Sequence, residues 1–408
     1  MVIYNNSMAG ASGWIKNSVP YALKGEGGKS LHREDLAAAL HIKNHERYFY
    51  LFRELTGGLE YLRRGSTLYQ EGLYLELGGY SYQVFFDFRE IMDNEEDHYL
   101  ALANYLNGRG VLSLEYTLKE LLLRPLLDHF EALCSREVIK DLLAVKRDEL
   151  YAPDNYLNEV SAKISAFLDA ARSCAARSCE AKTRTAQSDE VNSCAGENIT
   201  GAEGNEVELA VKVRRRLQAA LSLEGSALPP YMGRVFSFLG QEVSDLEQMF
   251  TFRYCWIIVT SLAELFTQED FSAYERSIID EYLLAPALTL LLNQVTTDDR
   301  RLPQLLLLLK ILIRHREWCR DKPPDLLRVF EDPEVQEFLQ VNRYENTLWC
   351  SKESLVSLIA WLGIISLLQE QDPENDELLE KYLEAAKKSD YRFQDLLDMM
   401  HEERSLRT

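Results

Sequence analysis

"LYLELGGYSYQVFFDF", residues Leu73–Phe88, alternates apolar side chains with others on both sides of a glycine pair. Leu73, Leu75 and Leu77 share one face of an extended chain, and Tyr80, Tyr82, Val84, Phe86 and Phe88 keep step beyond Gly78-Gly79. Period two around Gly-Gly predicts a hairpin, because glycine accepts positive φ at both central positions of a tight turn. Upstream, "ERYFYLFREL" (Glu46–Leu55) is aromatic and branched and reads as another strand. The opening "MVIYNNSMAGASGWIKNSV" (Met1–Val19) reads as a second hairpin, one strand at Val2–Tyr4 and the other around Trp14–Val19, with a short helix following at Arg33–His41. Two strands alone bury too little to be stable in water. A start at this point therefore leads us to expect that the sheet belongs to a larger body.

From about His98 the apolar spacing changes to three and four residues. "YLALANYLNGRG" (Tyr99–Gly110) ends in a Gly-rich stop, Ser113 can cap the helix that follows, and Pro125 should bend it. Residues 172–206 contain no Leu, Phe, Tyr or Trp and overlap the tandem copy "AARSCAARSC" at 170–179, which predicts a flexible linker. Beyond it, "YCWIIVTSLAELF" and "ESLVSLIAWLGIISLLQE" are apolar nearly all round and read as central helices of a bundle. Two helix starts are expected in "KPPDLLRVFEDPEVQEFL", at Asp325 and at Asp332-Pro333. The expected fold class is α+β, an N-terminal antiparallel sheet or sandwich followed by a mainly helical bundle. Its divisions are a β-rich domain over 1–95, a helical segment over 96–171, the linker over 172–206 and a helical domain over 207–408.

The chain has 408 residues, 46% of them hydrophobic, and a formal charge of −20, so its surface repels phosphate backbones and anionic lipid headgroups. Nucleic acid and membrane are therefore not expected partners. The richest apolar run, "LPQLLLLLKILI", is interrupted by Lys310 and too short to span a bilayer, and the first residues lack the pattern of a secretory signal. Seven cysteines without a CxxC pair fit a reducing compartment, and the cytoplasm is expected.

Chemistry-bearing motifs are sparse. "GEGGKS" (Gly25–Ser30) lacks phosphate-loop spacing and reads as a turn between strands. Cys174, Cys179 and Cys194 match no zinc pattern, and His41 and His45, four apart, lie where the helix should already have ended. Neither metal nor cofactor is expected. Asp87 and Glu90 could serve as a glycosidase pair, yet their odd separation points them to opposite faces of a regular strand and favours pairing with Arg89 or other bases. Trp14, Tyr80, Tyr82 and the tyrosines at 48 and 50 are candidates for a platform on which sugar rings stack.

"VIYNNSMAGASGWIKNSVPYAL" resembles the segment that begins the sheet domain after the catalytic barrel in large bacterial members of the alpha-amylase family of glycoside hydrolases. The similarity continues through "YLFRELTGGLEYLRRG", "GLYLELGGYSYQVFFDFREIMDN", "LANYLNGRGVLSLEYTLKELLLRPLLDHF" and "PEVQEFLQVNRYENTLWCSKESLVSLIAWL". The resemblance implies a non-catalytic, post-barrel accessory module, truncated or split from its barrel, whose partners would be a barrel-bearing chain, a second copy, or an alpha-glucan. None of the family's barrel motifs is present: the nearest echo of its "NHD" is "NHE" at Asn44–Glu46, so no catalytic residue carries over. "LWCSKES" departs from the "LWFNKEA" that the resemblance leads us to expect, placing Cys350 where a larger Phe would sit. A rival expectation is a helical interaction protein with no carbohydrate role.

Overall fold

In the computed structural model the described residues are 1–25, 28–146, 153–185, 203–223, 246–266, 277–296, 299–319, 326–369 and 374–407. They form two compact units, Met1–Arg124 and Pro125–Thr408.

The first unit is built on β5 (Tyr48–Glu54), whose run of aromatic and branched residues is buried almost throughout. Such a run marks a strand covered on both faces. Tyr50 and Phe52 point into one cluster with Phe85, Leu68 and Leu73, while Phe49 and Leu51 point into another with Leu62, Leu102, Leu106 and Leu114. β5 pairs antiparallel with β6 (Glu60–Arg64) on one side and β8 (Tyr82–Met92) on the other, and β1 (Val2–Tyr4) completes a four-stranded sheet in the order β1-β8-β5-β6. The register between β5 and β8 shifts between Leu51 and Arg53. Asp87, at φ 54°, sits at this bulge, so Phe85 and Phe88 both turn inward although they are three residues apart.

β2 (Ala11–Ile15) pairs with β7 (Leu73–Leu77), and β3 (Tyr21–Gly25) with β4 (Gly28–His32). Here two sequence expectations need correction. β7 and β8 do not pair with each other, and neither do β1 and β2. Instead, Val2–Tyr4 runs along Val84–Tyr82 and Ala11–Ile15 along Leu77–Leu73, so the two expected hairpins open out and pair as one long ribbon with an irregular step between its halves. Neither Gly78 nor Gly79 has a positive φ; Tyr80 does, at 51°. Gly79 is there for a different reason: a Cβ on it would stand 2.1 Å from the Met8 carbonyl oxygen. The two strand connections touch backbone to backbone, and only glycine fits that approach.

Helices then cover the sheet. α1 (Leu36–Ala39) is shorter than expected and is capped by Asp35 Oδ1, which accepts the Ala37 and Ala38 amides at 2.9 and 3.1 Å. α2 (Gly65–Gln70) was not foreseen. α3 (His98–Leu106) starts where the buried Asp93 carboxylate accepts the Tyr99 and Leu100 amides. It stops at Asn107 and Gly108, both left-handed. α4 (Leu114–Leu133) contains Pro125, and Ser113 Oγ accepts the Tyr116 amide at its start.

The second unit is helical: α5 (Arg136–Lys146), α6 (Pro153–Thr185), α7 (Glu203–Ser222), α8 (Leu246–Leu265), α9 (Ile278–Glu281), α10 (Ala285–Val295), α11 (Leu302–Arg314), α12 (Leu326–Glu331), α13 (Pro333–Phe338), α14 (Lys352–Leu368), α15 (Glu374–Lys388) and α16 (Phe393–Arg407). α8 is buried continuously from Phe250 to Ala263 and packs against α5, α6, α7, α10 and α11, which is why its sequence is apolar on every side. Two of its polar groups reach backbone carbonyls: Tyr254 donates to that of Leu133 at 3.1 Å and Arg253 to those of Ala220 and Leu223. Of the expected linker, residues 172–185 and 203–206 are helical, extending α6 and opening α7, while residues 186–202 lie outside the described residues. The helix start expected at Asp325 also lies outside them; the one at Asp332 is present, its Oδ1 accepting the Glu334 amide at 2.8 Å. A hairpin unforeseen from sequence, β9 (Asn342–Tyr344) with β10 (Thr347–Trp349), turns on Glu345 and Asn346, both at positive φ.

Candidate docking face

Among the described residues 21 large hydrophobic side chains are exposed, and 18 of them belong to the first unit. Alternation along the ribbon explains the placement. Phe85 faces the core, so Val84 and Tyr82 face away, opposite Val2 and Tyr4 across the β1–β8 pair. On the same side of the ribbon, Leu73 and Leu75 face inward while Tyr74 faces outward, opposite Trp14.

Of the five residues proposed for sugar stacking, three are exposed, Trp14 by 51%, Tyr80 by 71% and Tyr82 by 62%, whereas Tyr50 is buried in the core and Tyr48 half-buried against it. The structure does not gather them into one contact group. Trp14 meets Tyr74 edge to face, with ring centroids 5.4 Å apart, and Tyr74 donates to Glu76. Tyr82 lies opposite Tyr4 beyond the irregular step, and Tyr80 sits in that step, its amide donating to the Ser7 carbonyl at 3.0 Å. Sequence reading missed Tyr4, Tyr74 and Phe86 as members of this face. The signal was there, in the period-two spacing of Tyr74, Tyr80, Tyr82 and Phe86, but the hairpin assignment hid which strands stood opposite.

The two candidate carboxylates face away from each other. Asp87 pairs with Arg89 at 3.0 Å, with Arg53 at 3.9 Å, on the side of the sheet that carries Leu51. Glu90 accepts from Lys43 Nζ at 2.6 Å and from the Tyr50 hydroxyl at 2.7 Å on the other side. The Lys43 bond, then the Tyr50 bond, holds the Glu90 carboxyl below its ordinary range, while burial followed by Glu90 pushes the Tyr50 hydroxyl up. Both carboxylates are thus engaged in local pairing, an arrangement without opposed acid and base.

The remaining motifs serve local structure. Helix α1 has ended before His41, which sits at φ 54°, and His45 Nδ1 accepts the Arg47 amide. In "NHE", Asn44 accepts from Gln70 and Glu46 pairs with Arg64. "GEGGKS" spans the tip of the β3–β4 hairpin, with residues 26 and 27 outside the described set. Cys174 is buried in α6, the side chain of Cys179 and all of Cys194 lie outside the described residues, and among the described residues no cluster of His, Cys, Asp and Glu is arranged to hold a metal. Cys350 is buried with its Sγ 3.4 Å from the Tyr391 carbonyl oxygen, and burial pushes its thiol up to about 11. Among the described residues no helix is long and apolar enough to cross a membrane. No family model, no curated protein and no solved structure matches this chain.

Proposed function

We propose that this chain is a non-catalytic accessory module of an alpha-amylase-like glycoside hydrolase, docking through the outer side of its β1–β8 and β2–β7 ribbon against a barrel-bearing polypeptide. The observation that carries this reading is the concentration of exposed aromatic and aliphatic side chains on that side: Val2, Tyr4, Tyr74, Tyr82, Phe86 and Trp14. Large apolar side chains concentrated on one exposed face mark an interaction site, and aromatic residues dominate the energetics of such sites. The motif resemblance supplies the class of partner. The module would work in the cytoplasm, a compartment consistent with free thiols at Cys134, Cys174, Cys255, Cys319 and Cys350.

The test is capture from the native host with the wild-type chain and with Tyr4→Lys/Tyr82→Lys, followed by mass identification. A barrel-bearing glycoside hydrolase retained by the first and lost by the second supports the proposal; its absence from the wild-type eluate refutes it. The exposed Trp14–Tyr74 pair favours a second reading, stacking on an alpha-glucan chain. Retardation in a glycogen-containing gel that Trp14→Ala abolishes would support it. Loss of both results would leave the helical interaction protein as the better account.

A further inference from the structure

We infer that the β3–β4 hairpin is an arm by which two copies of this chain associate, its basic, apolar surface lying against the acidic surface of the second copy. The arm stands apart from the rest of the unit. β3 and β4 pair only with each other, and neither strand contributes to the two core clusters. Residues 21–24 and 28–32 are all exposed, including Tyr21, Leu23 and Leu31, the last by 77%. A lone two-stranded hairpin is marginal in water, so one that recruits no third strand or helix from its own chain needs cover from elsewhere.

Its root, in contrast, is fixed. Asn17 bridges Asp35, the Ser18 amide donates to the Glu34 carbonyl at 2.8 Å, and the Glu34 amide donates to Ser18 Oγ at 2.9 Å. The arm is therefore held at its base and bare beyond it.

The charges indicate what covers it. Lys24 lies directly opposite Lys29, on the same face as the Ala22 and Leu31 pair. Like charges directly opposite destabilise a strand pair, and among the described residues neither ammonium meets a carboxylate. An acidic surface would relieve that repulsion while burying Leu31. This chain itself carries the excess of carboxylates. Of its 45 basic and 65 acidic residues, 13 and 16 lie within 1–124, leaving 32 against 49 in the remainder, whereas residues 16–32 hold three lysines and one glutamate. In a two-fold dimer each arm would reach the acidic unit of the other copy, so the contact is made twice. This surface is distinct from the aromatic face proposed for the barrel, and the two ideas stand or fall separately.

The experiment is sedimentation equilibrium of the purified full chain alone, from ~1 to ~100 µM, a range bracketing typical weak dimers. The wild type is expected to dimerise. Lys24→Glu/Lys29→Glu should weaken the dimer at least ~tenfold, which is ~1.4 kcal/mol. Lys381→Glu/Lys387→Glu, with the same net charge but placed on the acidic unit, should not weaken it. Hydrogen exchange of β5 and α8, unchanged in both variants, establishes that each still folds. A monomer throughout, or a dimer that the arm lysines do not weaken, overturns the inference.

Discussion

Replacing Gly79 by Ala distinguishes the observed ribbon from a simple hairpin. The added Cβ would stand 2.1 Å from the Met8 carbonyl oxygen and 2.8 Å from its carbon, both backbone atoms that cannot swing aside. Ordinary carbon contacts are about 3.5 Å, so the two connections must part by more than about 1 Å. That displacement strains three hydrogen bonds: Tyr80 amide to Ser7 carbonyl at 3.0 Å, Asn5 amide to Ser81 carbonyl at 2.9 Å, and Asn5 Nδ2 to Gly78 carbonyl at 3.0 Å. At about 1 kcal/mol each, less for the solvent-exposed ones, the loss is about 2–3 kcal/mol. Gly78 is the internal control. Its Cβ would meet nothing closer than Ser81 Oγ at 3.6 Å, and its φ is not positive. Gly78→Ala should therefore be neutral or stabilise by about 0.4–1 kcal/mol through the unfolded chain.

The assay is hydrogen exchange read by mass spectrometry on peptides covering residues 1–15 and 73–84, because exchange reports local opening even when the rest of the chain stays folded. Gly79→Ala should speed exchange there ~30- to 150-fold, the equivalent of the estimated loss, and Gly78→Ala should not. A tight turn with positive φ at both glycines predicts similar damage from either substitution. Equal effects, or no effect at Gly79, would refute the ribbon.

In the helical unit, Arg216 donates to both oxygens of Glu264 at 3.1 and 2.8 Å, with Arg216 almost fully buried and Lys212 adding a second ion pair. Glu264→Ala should cost about 3–5 kcal/mol in urea unfolding by stranding the guanidinium, while Arg216→Met/Glu264→Leu together should recover most of that. Burial raises the Glu264 carboxyl, but the Arg216 bond and charge, followed by Lys212, outweigh it and leave the group below its ordinary value. Asp332 follows the same logic: burial raises it, yet His315 at 2.8 Å, the Glu334 amide and Arg314 together hold it well below the usual carboxylate range. Each carboxylate contributes stability that is present above its unfolded value, about 4, and lost as pH falls through the lower folded value. Asp332→Asn should accordingly be less stable at neutral pH and show a shallower acid decline in thermal melts. Burial pushes the Cys255 thiol up to about 12 and Cys350 up to about 11, so both should resist an aromatic disulfide reagent at pH 8 until denaturant is added.

How much of this was legible depended on whether the deciding contact was local. The helix caps at Asp332 and Ser113 and the stop at Asn107-Gly108 are set within a few residues, and sequence displays them. The core helices α8 and α14 announced themselves through apolar residues on every side, because every side is packed. Strand pairing is a different matter. Gly78-Gly79 has the composition of a turn, and nothing within its own segment reveals that Met8, some seventy residues earlier, lies against it. The bulge at Asp87 is equally silent, since its cause is the shift between β5 and β8, and it breaks the period on which the face assignment rested. The linker assignment over 172–185 failed for a third reason. Alanine, glutamate and arginine are strong helix formers, and their lack of large apolar groups argues against burial rather than against helix.

The same geometry explains why the exposed aromatics collect where they do. β5 spends both faces on cores, so a change there costs stability before it can alter binding. The ribbon has one face to spare. On it Tyr82 is 62% exposed; a buried tyrosine covers about 200 Å², so docking would remove about 120 Å² more from water. At ~25 cal/mol per Å² that is at most about 3 kcal/mol for one side chain, before ordering costs are subtracted. Tyr82→Ala should therefore leave the melting temperature nearly unchanged while weakening capture of a docked partner by about one to two orders of magnitude. Were the melting temperature to fall steeply instead, the tyrosine would be holding its own sheet together, and the outer face would be a surface of the fold with no partner to meet.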